Sequence, residues 1–389
     1  GDGQLVLWGT VWGRKTGETE DHSWCTVAIW DMSTGQEIRR LDEPLPGFGA
    51  KMACSPDGRY AVAASMSYQK GAGSSKKQVE AMVFDVYGRR KLHTLTLPHE
   101  VASVAMAPDG RRFALGINAK DFSDPKNRFA GEAALYDISS GRQLHRLPHA
   151  AGDSYETRGA VNSLRFSPDG QSLLAVSNSE GAVLWDAADG KRRWAFPTKL
   201  AQTFVGAFSS DGSRVVVGGF SGGEKREGGK TVDTPVVHKS FVLDVADGRE
   251  LAAFPETALQ VQFTPDSRRI VFGAKLYEAD TGKLARNIDG ATDSVYSVGI
   301  SPDGNYLLVN EALWSTEEGR QVRLFPGIHA QFSPDGRYVA TVSIDEDKPG
   351  VNLWDPQTGK SAAFFAGQRR DQFGNAFGFN RDGRRLISS

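Results

Sequence analysis

The sequence predicts an all-β protein assembled from repeats of one small antiparallel sheet. A Pro-Asp-Gly turn recurs along the chain, and an apolar, mostly aromatic residue followed by an acid recurs between successive turns. The chain also contains 44 glycines in 389 residues, which is above the roughly 7% of average proteins and suits a chain rich in tight turns. A formal net charge of −1 gives no indication of binding to nucleic acid through bulk electrostatics.

The clearest copy of the repeat is residues 161–191, VNSLRFSPDGQSLLAVSNSEGAVLWDAADGK. Apolar runs at 164–166 and 173–176 flank the turn Ser167-Pro168-Asp169-Gly170, in which proline, aspartate and glycine each suit their turn position. A third run at 182–185 leads into a second turn. These runs predict three antiparallel strands with no room for a helix. Because one such sheet cannot bury both faces, we expect copies on either side.

The repeat signals alternate along the chain. The first kind of turn occurs at residues 56–58, 108–110, 168–170, 210–212, 265–267, 302–304, 334–336 and 381–383. The strand ends between them are Trp30-Asp31, Phe84-Asp85, Tyr136-Asp137, Trp185-Asp186, Leu243-Asp244, Tyr277-Glu278, Trp314-Ser315 and Trp354-Asp355. A tight turn and a half-polar strand follow each strand end, which predicts a fourth, outer strand.

This pattern resembles the WD40 repeat family, specifically its divergent bacterial-type members. The resemblance covers essentially the whole chain and implies a β-propeller of four-stranded antiparallel blades, with strands A to D from the inside outwards. It also implies structural roles at the strand ends and turns. These fall on Trp30, Asp31, Trp185, Asp186, Trp354, Asp355, Asp57, Asp169 and Asp335. The family's Gly-His dipeptide is missing, and Pro98-His99 and Pro148-His149 are the nearest substitutes. We therefore expect its His–Ser/Thr–Trp hydrogen-bond network to be absent from most blades.

The two ends of the chain have complementary phase. The chain begins in a B strand at residues 4–11 and ends with an A strand near 375–379, so we expect the segment 374–380 to complete the N-terminal blade. Eight blades are then preferred over seven, in one propeller domain spanning residues 1–389. A surplus B strand at 384–388 does not fit clean closure. A longer parent protein, or seven blades with a displaced partial one, stays open.

Insertions are predicted on one face only. The B–C and D–A connections hold long loops, at residues 13–23, 67–78, 120–130, 148–159, 220–239, 345–350 and 367–373. Loops of this length are often functional, and aromatic residues and arginine are frequent interface anchors. The candidate binding residues are Lys70, Lys76, Lys77, Phe122, Arg128, Phe129, Tyr155, Arg369 and Arg370. The alternative is that these aromatics pack their own loops against the ring.

No catalytic or metal site is predicted. The seven histidines lack metal-ligand spacing, and the two cysteines form neither a disulfide framework nor a thiolate site. Residues 219–223 match Gly-x-Ser-x-Gly, but they leave a predicted strand for a loop, whereas a nucleophile elbow joins a strand to a helix. No apolar run approaches the length of a membrane span.

By resemblance, we expect a non-catalytic scaffold that binds other proteins and carries no cofactor. The alternatives are a propeller module of a larger enzyme or sensor and, third, a propeller enzyme with a ligand in its central channel.

Overall fold

The computed structural model describes most of the chain. Its backbone is described at residues 4–13, 22–31, 37–45, 48–71, 74–118, 131–150, 160–227, 230–256, 261–288, 295, 297–343, 345, 350–366, 377–379 and 386–388. The side chains are described at residues 51–64, 79–118, 131–150, 160–222, 234–256, 261–288, 295, 297–343, 345 and 350–365. The chain divides into two compact units, Gly1–Leu97 with Asn287–Ser389, and Pro98–Arg286.

The first unit begins with a three-stranded sheet and a four-stranded sheet. The three-stranded sheet consists of β1 (Gln4–Gly13), β2 (His22–Asp31) and β3 (Glu37–Leu45). The four-stranded sheet consists of β4 (Phe48–Cys54), β5 (Tyr60–Gly71), β6 (Ser74–Asp85) and β7 (Arg90–Leu97).

The second unit contains four antiparallel sheets, each with its strands in sequence order. They are β8–β11 (Glu100–Met106, Arg112–Asn118, Gly131–Asp137, Gln143–His149), β12–β15 (Val161–Phe166, Ser172–Ser177, Gly181–Asp186, Arg192–Phe196), β16–β19 (Gln202–Phe208, Arg214–Glu227, Lys230–Asp244, Glu250–Phe254) and β20–β23 (Val261–Phe263, Arg269–Phe272, Lys275–Glu278, Leu284–Asn287).

The first unit resumes after Asn287 with two more four-stranded sheets and a short pair of strands. They are β24–β27 (Val298–Ile300, Tyr306–Val309, Ala312–Ser315, Gln321–Leu324), β28–β31 (Ile328–Phe332, Val339–Val342, Gly350–Trp354, Ser361–Ala366), and β32 (Phe377–Phe379) with β33 (Leu386–Ser388).

The structure thus contains seven four-stranded antiparallel blades among its described residues, which matches the seven-blade alternative and not the preferred eight. The expected eighth blade is divided between the three-stranded sheet and the β32–β33 pair. The prediction that residues 374–380 complete the N-terminal blade is also wrong. β32 pairs with β33, and the surplus strand β33 takes the place beside β1.

Every blade has two different ends. We call the end that carries the A–B and C–D turns the turn end, and the opposite end the hairpin end. The connections at the turn end are minimal, as predicted: residues 167–171 join β12 to β13, and residues 187–191 join β14 to β15.

Two connections at the hairpin end were predicted as long loops but are paired strands. β17 and β18 stay paired from Arg214↔Asp244 out to Glu227↔Lys230, with one register shift between Ser221 and Gly223. β5 and β6 stay paired out to Gly71↔Ser74. Backbone hydrogen bonds hold such a ribbon together beyond the edge of the blade. We call residues 221–239 the first hairpin arm and residues 67–78 the second.

Apolar side chains fill the spaces between consecutive blades. In the second unit, Leu135 and Leu147 of β8–β11 form one buried cluster with Leu164, Leu173 and Trp185 of β12–β15. Separate clusters join β12–β15 to β16–β19 and β16–β19 to β20–β23. In the first unit, an equivalent cluster joins β24–β27 to β28–β31. The sheets β12–β15 and β16–β19 are therefore buried on both faces by neighbouring sheets, which is what a small repeat requires.

The core position of Trp185 generates a stability prediction. Its side chain is 5% exposed and lies in the cluster between β8–β11 and β12–β15. Trp185→Ala should lower the free energy of unfolding by about 3–5 kcal/mol, because it empties an aromatic core site. Chemical denaturation measures this. Leu144→Ala, at an exposed position, is the control and should change stability by less than about 0.5 kcal/mol. Equal effects of the two variants would contradict the packing described.

Candidate interaction surfaces

The A–B turns are built on one hydroxyl–carboxylate pair. Ser167 donates its hydroxyl to Asp169 Oδ1 at 2.5 Å, and the same oxygen accepts the Gln171 amide at 2.9 Å. The Ser172 amide donates to Ser167 Oγ, which closes the turn. The hydrogen bond from the Ser167 hydroxyl is the main cause that lowers the pKa of Asp169. The carboxylate therefore stays ionised at neutral pH and fixes the turn.

The same pair recurs in five other described blades, with threonine replacing serine once. It joins Ser55 to Asp57, Ser209 to Asp211, Thr264 to Asp266, Ser301 to Asp303, and Ser333 to Asp335. Asp57, Asp169 and Asp335 each accept such a bond in an A–B turn. The hydroxyl partner one residue before the proline position was not singled out, although its recurrence in the sequence signals it.

The acids at the strand ends cap the C–D turns. Asp186 accepts the amides of Ala188 and Asp189 at 2.9 and 3.3 Å and the guanidinium of Arg193 at 2.7 Å. Asp355 accepts the amides of Gln357 and Thr358 at 2.8 and 3.0 Å.

The tryptophans at these strand ends are placed unevenly. Trp185 is buried, and Trp354 is half-buried and donates Nε1 to Thr341 Oγ1 at 2.8 Å. Trp30 and Asp31 end strand β2, and their side chains lie outside the described residues.

Three A–B turns also contact the preceding blade through their glycines. Gly170, with φ of +71°, lies so close to that blade that an added Cβ would be 3.4 Å from Cδ of Pro108. An added Cβ at Gly212 would be 3.5 Å from Cδ of Pro168. In the first unit, an added Cβ at Gly336 would be 3.3 Å from Cδ of Pro302. The turn proline of one blade thus packs against the turn glycine of the next.

The C–D turns receive a hydrogen bond from the outer strand of the preceding blade. Trp194 donates Nε1 to the Val245 carbonyl at 2.8 Å. A nitrogen of His145 lies 2.9 Å from the Ala188 carbonyl, and Arg323 donates to the Gln357 carbonyl at 2.7 Å. At the turn end, these hydrogen bonds therefore join β8–β11 to β12–β15, β12–β15 to β16–β19, and β24–β27 to β28–β31.

One large cavity opens at the turn end, between β24–β27 and β28–β31. Its volume is about 880 Å³. Its walls are the two A–B turns, the C–D turn that follows Asp355, and the rings of Tyr306 and Tyr338. We call it the turn-end cavity.

The hairpin end presents apolar surface on the first hairpin arm. Val236 and Val237 are 50% and 57% exposed. At the base of the arm, Phe220 makes edge-on ring contacts with Phe204 and His238, at centroid distances of 5.8 and 6.0 Å. These contacts fix the arm where it leaves the blade.

The side chains of the binding residues predicted from the sequence lie outside the described residues. Lys70 lies in β5, and Lys76 and Lys77 lie in β6, on the second hairpin arm, but their side chains are outside the described residues. The remaining candidates also lie outside the described residues: Phe122, Arg128, Phe129, Tyr155, Arg369 and Arg370.

A buried histidine network lies between β8–β11 and β12–β15. The side chain of His149 is completely buried, with Nδ1 3.2 Å from Ser177 Oγ and 3.6 Å from a carboxylate oxygen of Glu180. Arg192 pairs with the other oxygen of Glu180 at 2.6 Å. Burial lowers the pKa of His149 to about 4; the Glu180 charge opposes this shift and the Arg192 charge adds to it. A His–Ser arrangement is therefore present in this blade, where Pro148-His149 replaces Gly-His.

Two sequence features that bear on catalysis and metal binding, the Gly-x-Ser-x-Gly match and the possible metal ligands, can be compared with the described part of the chain. Residues 219–223 continue strand β17, and Ser221 accepts the Ala201 amide, so the strand-to-helix setting of a nucleophile elbow is not formed there. Within the described ranges, no group of three or more His, Cys, Asp or Glu residues could hold a metal ion. Nor does that part of the chain contain a helix with the length and hydrophobicity of a membrane span.

Comparison with known proteins supports the WD40 repeat family. The family model "WD domain, G-beta repeat" matches residues 149–186 and 282–310. The C-terminal WD40 domain of Sif2 superposes with a TM-score of 0.57 at 15% identity, covering 86% of this chain and 90% of that domain. The fold is an all-β WD40 propeller.

The relatives by sequence come from several kingdoms. An uncharacterized WD repeat-containing protein of Deinococcus radiodurans is 27% identical over 48% of this chain and 66% of the relative. Protein tipD of Dictyostelium discoideum is 21% identical over 58% of this chain and 37% of the relative. A guanine nucleotide-binding protein subunit beta of Oryza sativa subsp. indica is 25% identical over 41% and 38%. The matches thus span less than two thirds of each relative.

The buried His149 generates a pH prediction. Its pKa of about 4 in the folded protein lies below the ordinary value of 6.5, so the unfolded chain takes up the proton first as the pH falls. The contribution of His149 to the free energy of unfolding should be constant above pH 6.5 and decrease toward pH 4, with a slope approaching about 1.4 kcal/mol per pH unit. Denaturation at a series of pH values measures the slope. His149→Gln should remove that part of it, and an unchanged slope in the variant would contradict the assignment.

Proposed function

We propose that the protein is a non-catalytic platform for protein–protein interaction and that its hairpin end binds the partner. The observation that carries this proposal is the first hairpin arm, which projects beyond its blade and exposes two adjacent valines. Large apolar side chains exposed on a projecting β-ribbon are available to contact a partner.

The packing at the base of the arm supports the proposal. The ring contacts of Phe220 with Phe204 and His238 hold the arm before any partner binds. The ammonium of Lys239 lies 4.6 Å from the ring centroid of Phe241, two residues further along the same strand β18. A surface that is already ordered loses less conformational entropy on binding, which favours affinity.

The family supports the same class of function. WD40 propellers generally mediate protein–protein interactions and scaffolding, and the relatives include a G-protein beta subunit. We infer that this chain shares the role as one propeller domain with divergent, bacterial-type repeats, an inference to which the Deinococcus match contributes.

The lysines of the second hairpin arm, Lys70, Lys76 and Lys77, belong to this proposed surface. So do the candidates beyond the arms: Phe122, Arg128, Phe129, Tyr155, Arg369 and Arg370.

Replacing the two exposed valines tests the proposal. Val236→Ser with Val237→Ser should abolish recovery of the partner in quantitative affinity purification, because it removes the apolar surface while leaving the core intact. The melting temperature should stay within about 2 °C, since exposed substitutions change stability little.

Leu324→Ser is a matched control, because Leu324 is 58% exposed and lies on the outer strand of a different blade. It should leave partner recovery unchanged. Partner recovery that survives the double substitution, or that falls equally with Leu324→Ser, would contradict a role for the arm.

A further inference from the structure

The protein's own arginines bridge neighbouring blades at the turn end. Arg112, the first residue of β9, donates to the Gly170 carbonyl at 2.9 Å and to the Ala187 carbonyl at 3.0 Å. These carbonyls belong to the A–B and C–D turns of the next blade. The same guanidinium also donates to Asp109 of its own A–B turn at 2.9 Å. One planar side chain thus occupies the space enclosed by three turns.

A second arginine repeats this arrangement. Arg214 is the first residue of β17, as Arg112 is of β9. In the strand register, each lies opposite the acid at a strand end, Asp244 and Asp137 respectively. The Arg214 guanidinium donates to the Ser267 carbonyl at 3.3 Å and pairs with Asp280 at 2.7 Å. Ser267 and Asp280 lie in the A–B and C–D turns of the blade that follows.

Between β24–β27 and β28–β31, the equivalent position holds a tyrosine. Tyr306 is the first residue of β25 and pairs with Ser315, in the same register as the two arginines. The turn-end cavity lies beside it, and Asp303, Gly336 and Pro356 occupy the positions that Asp109, Gly170 and Ala187 hold around Arg112. Among the described residues, no side chain donates a hydrogen bond to the Gly336 or Pro356 carbonyl.

The charge of the cavity suits a cation. Asp303, Asp335 and Asp355 line it, and backbone hydrogen bonds from Thr358 and Gln357 lower the pKa of Asp355. The one basic residue of the lining, Arg337, is exposed, with its guanidinium carbon 5.6 Å from the centroid of the neighbouring Tyr338 ring.

The tyrosine rings add a surface for stacking. Tyr306 is 38% exposed and Tyr338 is half-buried, and both line the cavity. Arginine binds such sites better than lysine, because its planar guanidinium stacks on rings and donates in several fixed directions at once.

We propose that the turn-end cavity binds an arginine side chain from a partner protein, in the position that Arg112 and Arg214 occupy between other blades. The partner chemistry is an exposed, arginine-bearing segment. The site shares no residue with the first hairpin arm, so either proposal can fail while the other stands.

A short peptide tests the proposal directly. Acetyl-Gly-Arg-Gly-amide is titrated into the full chain while the backbone amide signals of Gly336 and Gln357 are followed by NMR. These signals should shift and saturate. The citrulline peptide, which has nearly the same shape but no charge, should bind at least about tenfold more weakly, because charge-assisted hydrogen bonds are lost. The lysine peptide should fall in between.

Variants separate occupancy of the cavity from general charge effects. Tyr306→Arg should weaken peptide binding by about tenfold or more, because its own guanidinium fills the site as Arg112 does. Glu317→Gln removes an exposed carboxylate of the same blade that does not line the cavity, and should leave the affinity unchanged.

Three results would overturn the proposal. One is the absence of a saturable shift up to about 10 mM peptide, a range that a single side-chain site should reach. The second is equal affinity for the arginine and citrulline peptides. The third is undiminished binding to Tyr306→Arg, which would place the peptide elsewhere.

Discussion

The close contact between the glycine of a C–D turn and the blade before it, formed at several turns, constrains the rest of the structure. Gly248, in the left-handed region at φ of +76°, leaves so little space that an added Cβ would lie 2.6 Å from the Trp194 ring. An added Cβ would likewise clash with the His145 ring at Gly190 and with the Arg323 side chain at Gly359. Glycine is therefore required twice, for the backbone conformation and for the close approach. An inserted residue would break both, which explains why the turn end has minimal connections.

The hairpin end, unlike the turn end, accommodates long connections between strands. There β17 and β18 stay paired beyond the blade, so the first hairpin arm extends to Glu227↔Lys230 and exposes Val236 and Val237. Variation at the turn end is limited to side chains, as where Tyr306 takes the place that Arg112 and Arg214 hold in other blades. In the two proposals, the hairpin end thus binds through an added element, and the turn end binds at a site where a bridging side chain is missing.

Local signals made most of the blade structure predictable, and long-range pairing did not. The Ser-Pro-Asp-Gly turns were predictable because each is fixed by residues within five positions, as in the Ser167–Asp169 pair. The hairpin arms were predicted as loops, because composition does not show whether backbone hydrogen bonds continue. The preference for eight blades was wrong, because the partner of β32 is decided by contacts between distant segments. The turn-end cavity was missed, although comparing Tyr306 with Arg112 and Arg214 across the repeats would have indicated it.

The central claim is that close contact between blades, and not backbone conformation alone, requires the glycines of the C–D turns. Gly212→Ala and Gly248→Ala separate the two effects, because φ is +72° and +76° but the added Cβ meets its nearest atom at 3.5 and 2.6 Å. The free energy of unfolding should fall by about 1–2 kcal/mol in Gly212→Ala, from the left-handed backbone alone. Gly248→Ala should lose at least about 1 kcal/mol more, because the buried Trp194 ring must move. Equal losses in the two variants would contradict the claim.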